Sequence, residues 1–145
     1  MTREERQMYW RPIALSVDHK PNKAAEKDRI VKSGGLVKAT FDPMTGKSVG
    51  PYRVWSGDIN QAGLAMSRSL GDGILKEYGV TAEPEIREIE LKQQDKMLVI
   101  ASDGIWDVFN NKQVIQLLVP FWEKKNPVDA AQFLAKEARK KWESS

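Results

Sequence analysis

The stretch MLVIASDGIWDVFNN, residues 97–111, decides the fold of this chain. Its first five residues are all apolar, and a short apolar run of this kind predicts a buried β-strand over residues 97–101. A carboxylate, Asp103, follows directly before Gly104, and a second carboxylate, Asp107, comes four residues after the first. An Asp at the end of a strand lies where backbone pairing stops, and the glycine lets the backbone turn there. If a helical turn follows, both carboxylates lie on one of its faces.

The residues alone leave two interpretations of these carboxylates open. Adjacent carboxylates repel one another, so both remain ionised only when a cation lies nearby, and hard oxygen ligands suit Mg²⁺ or Mn²⁺. In the structural alternative, Asp103 forms a side-chain turn with the backbone and Asp107 caps a helix over residues 108–119. The pattern by itself favours the structural alternative, because Asp is a common turn residue.

Composition restricts the class of protein. The 145 residues, 41% hydrophobic and 30% charged, are enough for one domain with a hydrophobic core. The net charge of +3 is dispersed, which argues against a nucleic acid partner, and the lack of Cys excludes disulfides and thiolate metal sites. No apolar run approaches the roughly 18 residues of a membrane span, and the first residues lack the apolar core of a signal peptide. We therefore expect a cytoplasmic or nuclear protein with no membrane partner.

The order of apolar patterns predicts an α+β fold. Strands are predicted at residues 13–17, 36–41, 52–55, 85–91 and 97–101, the last two paired antiparallel because their connection is short. The glycine-rich residues 56–85 are predicted to be irregular, with one short helix at most.

Three longer helices are also predicted. The first covers residues 22–35 and takes Asn22 as its cap. The second begins at Asn110 or Asn111, and the third begins at Asn126 before Pro127. The second helix is expected to face the core through Val114, Leu117 and Leu118, and the third through Val128, Ala131, Ala135, Ala138 and Trp142.

Two further segments contain residues that could bind an anion or a metal. In GLAMSRSLGD, residues 63–72, Arg68 could hold a phosphate by bidentate hydrogen bonds, or it could form a surface salt bridge beside a turn. In DHKP, residues 18–21, the only histidine, His19, could be a metal ligand or an acid–base group, or it could serve capping and packing. For both residues the structural alternative is the more common one.

Taken together, four segments resemble the metal-dependent serine/threonine phosphatases of the PP2C type. They are LSVDHKPNKAAEKDRIVKSGGLV (15–37), GLAMSRSLGD (63–72), GVTAEPEI (79–86) and KMLVIASDGIWDV (96–108), in the order and spacing of the family. The resemblance implies an α-β-β-α sandwich, two antiparallel sheets flanked by helices, of which this chain would form a part that is incomplete at both ends. We expect residues 1–145 to be one partial catalytic domain, with residues 42–62 as a flap-like insertion.

The resemblance also implies a function. Members of the family hydrolyse phosphoserine and phosphothreonine in protein substrates, using two or more Mg²⁺ or Mn²⁺ ions and the direct attack of a metal-bridging water. By this resemblance Asp103 is a metal ligand, Asp107 helps to hold a further and weaker metal, and Asp72 is structural. No residue of this chain matches a catalytic or phosphate-binding residue of the family.

Several motifs of the family are missing from the chain. A DGHGG-like motif, a GDSR-like strand and a last strand that opens with Asp-Asn carry the other principal metal ligands, and none of them occurs here. We therefore expect a middle-to-C-terminal piece of a phosphatase with little or no activity in isolation. The alternative function is a pseudophosphatase that keeps the fold as a regulatory binding module. Exposed sheet edges would allow copies of such a piece to associate with one another.

Overall fold

The computed structural model of the chain describes residues 10–42, 44–57 and 63–144. These residues form helices α1 (Ala24–Lys32), α2 (Gly73–Lys76), α3 (Asp103–Trp106), α4 (Asn111–Glu123) and α5 (Pro127–Glu143), and strands β1 (Leu36–Phe41) and β2 (Ser48–Trp55). The predicted α+β class is confirmed, and the one sheet among the described residues is antiparallel. The chain divides into two compact units: residues 16–87 form one, and the residues up to 15 together with those from 88 onward form the other.

The two strands form a hairpin in the first unit. Strand β1 has the predicted bounds, whereas β2 begins at Ser48 rather than at Tyr52 as predicted. The register shifts after Ala39, so that Gly50, with φ of +78°, and Pro51 bulge out of the ladder. Proline has no backbone N–H and cannot donate to a ladder, which explains why the irregularity lies there.

The flap-like insertion over residues 42–62 stays a prediction. Strand β2 falls within it, and Pro43 and residues 58–62 lie outside the described residues. The expectation of a single partial domain likewise stays a prediction.

Helix α1 confirms the predicted helix but not its cap. Lys23, not Asn22, is the N-cap residue, with φ of −68° and ψ of 138°, and it makes no side-chain capping bond. The first helical bond runs from the N–H of Lys27 to the carbonyl of Lys23, at 2.8 Å. The helix therefore starts one residue later than predicted, and the Asn22 side chain is not the capping group.

The core of the first unit lies where α1 meets the hairpin and α2. Its buried residues are Ile30, Val54, Leu75 and Val80, with Val37, Leu64 and Tyr78 packed around them. The backbone at Gly35, just after α1, lies close to the segment around Tyr78, because a Cβ at Gly35 would lie 2.6 Å from the carbonyl oxygen of Tyr78. Only glycine fits at that position without a shift of backbone.

Helices α4 and α5 begin as predicted in the second unit. The Asn110 side chain accepts the N–H of Gln113 at 2.9 Å, and the Gln113 side chain accepts the N–H of Asn110, so the two form a capping box. The Asn126 side chain accepts the N–H of Asp129 at 3.1 Å, and Pro127 occupies the first helical position. None of the helices in the described residues has the length and apolar character of a transmembrane segment.

The buried faces of these two helices agree only in part with the prediction. On α4, Val114 and Leu118 are buried and Leu117 packs beside them, as predicted. On α5, the buried residues are Leu134 and Ala138, with Ala130 beside them. The predicted stripe is wrong at Val128, Ala131, Ala135 and Trp142, which are exposed. The helix turns Leu134 inward because a leucine removes more apolar area from water than an alanine does.

Three predicted strands are not formed. The structure assigns no strand to residues 13–17, 85–91 and 97–101, and the predicted pairing of the last two is therefore wrong. The physical reason is that a strand exists only through a backbone partner, and these segments have no ladder partner in the described parts of the chain.

Residues 97–101 nevertheless keep the alternating exposure of an extended segment. Met97 and Val99 pack on the core of the second unit, whereas Leu98 and Ile100 are 66% and 87% exposed. An extended segment with exposed apolar side chains is the kind of edge that pairs with another chain. Self-association stays a prediction, and light scattering of the purified chain would check it; a stable monomer would contradict it.

Candidate metal centre

The turn at Asp103 has the helical geometry that was the condition for both carboxylates to lie on one face. Asp103 is the first residue of α3, and Asp107 follows the helix with a helical backbone. The N–H of Asp107 donates to the carbonyl of Asp103 at 2.8 Å, which closes one helical turn between them. Residues four apart on such a turn are neighbours on one face. The structure therefore brings both carboxylates to one face, where both are exposed.

The structural alternative for these carboxylates is not supported. Helix α4 is capped by Asn110, so capping by Asp107 is wrong. Within the described residues, the side chains of Asp103 and Asp107 neither accept a hydrogen bond, as the Asn110 side chain does, nor form an ion pair. Both carboxylates are thus available as oxygen donors.

The donor set fits a hard cation, but only in part. Carboxylate oxygens are what Mg²⁺ and Mn²⁺ prefer, and Mg²⁺ is commonly held by one or two carboxylates while it keeps several waters. Across the described residues, no group of three or more His, Cys, Asp or Glu side chains could hold a metal ion. The described residues therefore offer two ligands for an open site and do not enclose an ion.

Arg68 is committed to an ion pair rather than to a phosphate. Its Nη2 donates to Oε1 of Glu26 at 2.6 Å and its Nε to Oε2 of the same carboxylate at 3.2 Å, while its Nη1 donates to the carbonyl of Glu83 at 3.1 Å. The salt-bridge alternative is confirmed, but the pair is not on the surface: the side chains of Arg68 and Glu26 are 20% and 7% exposed.

Glu26 is the centre of a network that sequence reasoning did not find. Arg29 donates to its Oε2 at 2.7 Å, and the Ser67 hydroxyl donates to the same oxygen at 2.5 Å. The guanidinium groups of Arg68 and Arg29 and the Ser67 hydroxyl outweigh the effect of burial and hold the pKa of Glu26 well below its ordinary value of 4.5. The available signal was a Glu four residues before Ile30, on the face of α1 that enters the core.

His19 contacts Glu85 through its side chain and Ser67 through its carbonyl. Its Nε2 lies 3.1 Å from Oε2 of Glu85, and its carbonyl accepts the N–H of Ser67 at 2.8 Å. The Ser67 hydroxyl oxygen also lies 2.8 Å from this carbonyl, as the second acceptor beside Glu26. Asp72 precedes α2 in a left-handed backbone conformation, with φ of 58°. His19 thus has protein partners within residues 16–87, as its structural alternative predicts, whereas a structural role for Asp72 stays a prediction.

Comparison with known proteins extends over almost the whole chain. A family model described as "Protein phosphatase 2C" matches residues 6–144. The chain is 37% identical over 130 residues to "Probable protein phosphatase 2C 73" of Arabidopsis thaliana. This match covers 90% of this chain and 33% of the relative. It is 36% identical over 130 residues to "Probable protein phosphatase 2C 48" of Oryza sativa subsp. japonica, covering 90% and 35%. The chain thus spans about a third of the length of these curated relatives.

Two solved structures are similar as well. The serine-threonine phosphatase 2C from Toxoplasma gondii superimposes with a TM-score of 0.75 and 27% identity, over 90% of this chain and 42% of that one. A Caenorhabditis elegans sex determining protein gives a TM-score of 0.64 and 25% identity, over 86% and 28% of the two chains.

Proposed function

Because this chain belongs to the protein phosphatase 2C family, as its motifs indicated, we propose that it is part of a Mg²⁺- or Mn²⁺-dependent enzyme that hydrolyses phosphoserine and phosphothreonine in proteins. Its fold class is that of a partial PP2C fold. The observation that supports the proposed chemistry is the turn at Asp103, which presents two exposed carboxylates on one face without protein partners in the described residues.

The two carboxylates have different roles in this proposal. Asp103 supplies an oxygen ligand to a principal metal ion, and Asp107 helps to hold a further ion more weakly. When bound, the ions supply an activated water for attack on phosphorus and offset the charge of the phosphoryl oxygens. Asp103 and Asp107 are both exposed, so a phosphorylated side chain of a protein substrate can reach the turn that carries them.

Binding of Mn²⁺ tests the role of Asp103. We expect Asp103→Asn to weaken Mn²⁺ binding by about tenfold or more, because an amide oxygen replaces an ionised carboxylate, and Asp107→Asn to weaken it less. The loss of the free-ion signal in electron paramagnetic resonance measures the affinity. Asp28→Asn removes the same charge from an exposed position of α1 and is the matched control.

Equal affinities of the Asp103→Asn and Asp28→Asn variants would contradict the assignment of Asp103. A wild-type chain that binds no Mn²⁺ would remove the metal role and favour the pseudophosphatase alternative, in which the fold serves binding.

We further propose that the 145-residue chain is inactive or nearly so by itself. Two carboxylates in the described residues are too few to hold two ions that each keep several waters. Phosphate release from a phosphoserine peptide in the presence of Mn²⁺ should therefore not exceed that of the Asp103→Asn variant, whereas a full-length family member should turn over the same peptide. Turnover that depends on Mn²⁺ and disappears in the Asp103→Asn variant would contradict this proposal.

A further inference from the structure

The carbonyl of Gly104 is left without a helical partner at the end of the short helix α3. In a continuing helix it would accept the N–H of Val108, but that N–H donates to Ile105 at 3.2 Å instead. Carbonyls at a helix end require another donor. The Gly104 carbonyl accepts the indole N–H of Trp142, at 2.9 Å, from the last turn of α5.

A second indole fixes the other side of the same turn. The Nε1 of Trp106 donates to the carbonyl of Ala101 at 2.8 Å. Asp103 thus lies between two backbone carbonyls that are each held by an indole N–H, one two residues before it and one directly after it. One donor comes from the turn itself, but Trp142 lies 38 residues away along the chain.

The residue beside Trp142 contacts the exit of the same turn. The ammonium group of Lys141 donates to the carbonyl of Val108 at 2.9 Å and lies 4.2 Å from the centre of the Phe109 ring. Phe109 is buried in the core of the second unit. The last turn of α5 therefore donates hydrogen bonds to two carbonyls of residues 104–109, those of Gly104 and Val108, next to the buried Phe109.

We propose that Trp142 is a positioning residue for the Asp103 turn: its indole N–H fixes the Gly104 carbonyl and thereby the direction of the Asp103 carboxylate. This inference rests on the proposed metal role of Asp103 for its functional meaning. Trp142 is 51% exposed and is not among the described residues that pack on the core of the second unit, so its N–H can be removed separately from that core.

Substitution at position 142 separates the N–H from the ring. Trp142→Phe keeps an aromatic ring and removes the donor, whereas Trp142→Ala removes both. We expect both variants to raise the hydrogen-exchange rates of the amides of residues 105–109 by about fivefold in the metal-free chain, and to weaken Mn²⁺ binding by a similar factor. Trp122→Phe is the control, because Trp122 is 42% exposed on α4 and its indole N–H has no acceptor in the described residues.

The outcomes distinguish this inference from the proposed function. If Trp142→Phe exchanges and binds Mn²⁺ like wild type while Trp142→Ala does not, the ring and not the N–H matters, and the inference is overturned. If the wild-type chain binds no Mn²⁺, the proposed metal role fails; the exchange rates then still decide whether the N–H of Trp142 holds the turn.

Discussion

Replacing Glu26 with alanine is expected to lower the free energy of unfolding of residues 16–87 by about 3 kcal/mol. The carboxylate is 7% exposed and accepts hydrogen bonds from two arginines and a serine hydroxyl. Its removal leaves Arg68 without its carboxylate partner and with only the carbonyl of Glu83, while the Ser67 hydroxyl keeps the carbonyl of His19 as an acceptor. The expected loss lies at the lower end for a broken buried pair, because Arg29 and Arg68 keep some contact with water.

Urea unfolding monitored by hydrogen exchange of peptides from residues 24–41 measures this loss. The matched control is Glu143→Ala, which breaks the pair between Glu143 and Arg139 at 2.7 Å, with both side chains well exposed. That variant is followed through peptides from residues 127–143, because Glu143 lies in the second unit, and it should lose less than about 0.5 kcal/mol since exposed pairs contribute little. Equal losses in the two variants would contradict the importance of the buried network.

The dependence on pH follows from the lowered pKa of Glu26. A carboxyl group whose pKa is lower in the folded state stabilises the fold fully at pH values above its ordinary pKa of 4.5. This stabilisation is lost as the pH falls from 4.5 towards the pKa of the folded state. Acidification below 4.5 should therefore destabilise wild type more steeply than Glu26→Gln. The pKa of Asp42 is also lowered, through its bonds to Thr45 and Met44, but that contribution is the same in both proteins and cancels in the comparison.

Replacing Gly79 with alanine is expected to lower the free energy of unfolding of the same unit by about 2 to 4 kcal/mol. Gly79 has φ of +90°, and a Cβ there would lie 2.8 Å from the Cα of Ile30 and 3.1 Å from the carbonyl oxygen of Arg29. Both atoms belong to the backbone of α1, so no side-chain rotation can relieve the contact. The Gly79 carbonyl also accepts the Nε of Arg29 at 2.9 Å, and a displaced backbone would lose that bond.

Gly46→Ala is the control for backbone strain alone. Gly46 also has a positive φ, +64°, but a Cβ there meets nothing within 4 Å. Its loss should be about 1 kcal/mol, the usual cost of a left-handed backbone for a residue with a Cβ. If both variants lose the same free energy in the urea measurement, the close approach of Gly79 to α1 does not contribute.

Much of the local structure could be predicted because it depends on residues close together in the sequence. Asn110 reaches Gln113, and Asn126 reaches Asp129, within one helical turn. The geometry that places Asp103 and Asp107 on one face depends on the same short range. The prediction for Asn22 failed at this range as well, because the helix begins one residue later than its pattern suggested.

The segments that could not be predicted depend on distant partners. Residues 97–101 have the apolar pattern of a strand, yet a strand needs a neighbouring backbone, and none pairs with them in the described residues. The buried face of α5 depends on how the helix packs on the core. Leu134 is buried there rather than the alanines at 131 and 135, because a leucine removes more apolar area from water.

By itself the sequence determined the family, the α+β class, the caps of α4 and α5, and the pair of carboxylates at Asp103 and Asp107. The tertiary structure alone decided that Glu26 pairs with Arg68, 42 residues away, and that Trp142 holds the carbonyl of Gly104, 38 residues away. The physical reason is range. Capping and helical turns are made by neighbours, whereas a buried charge or a free carbonyl takes its partner from whichever distant group the packing of the core brings within hydrogen-bond distance.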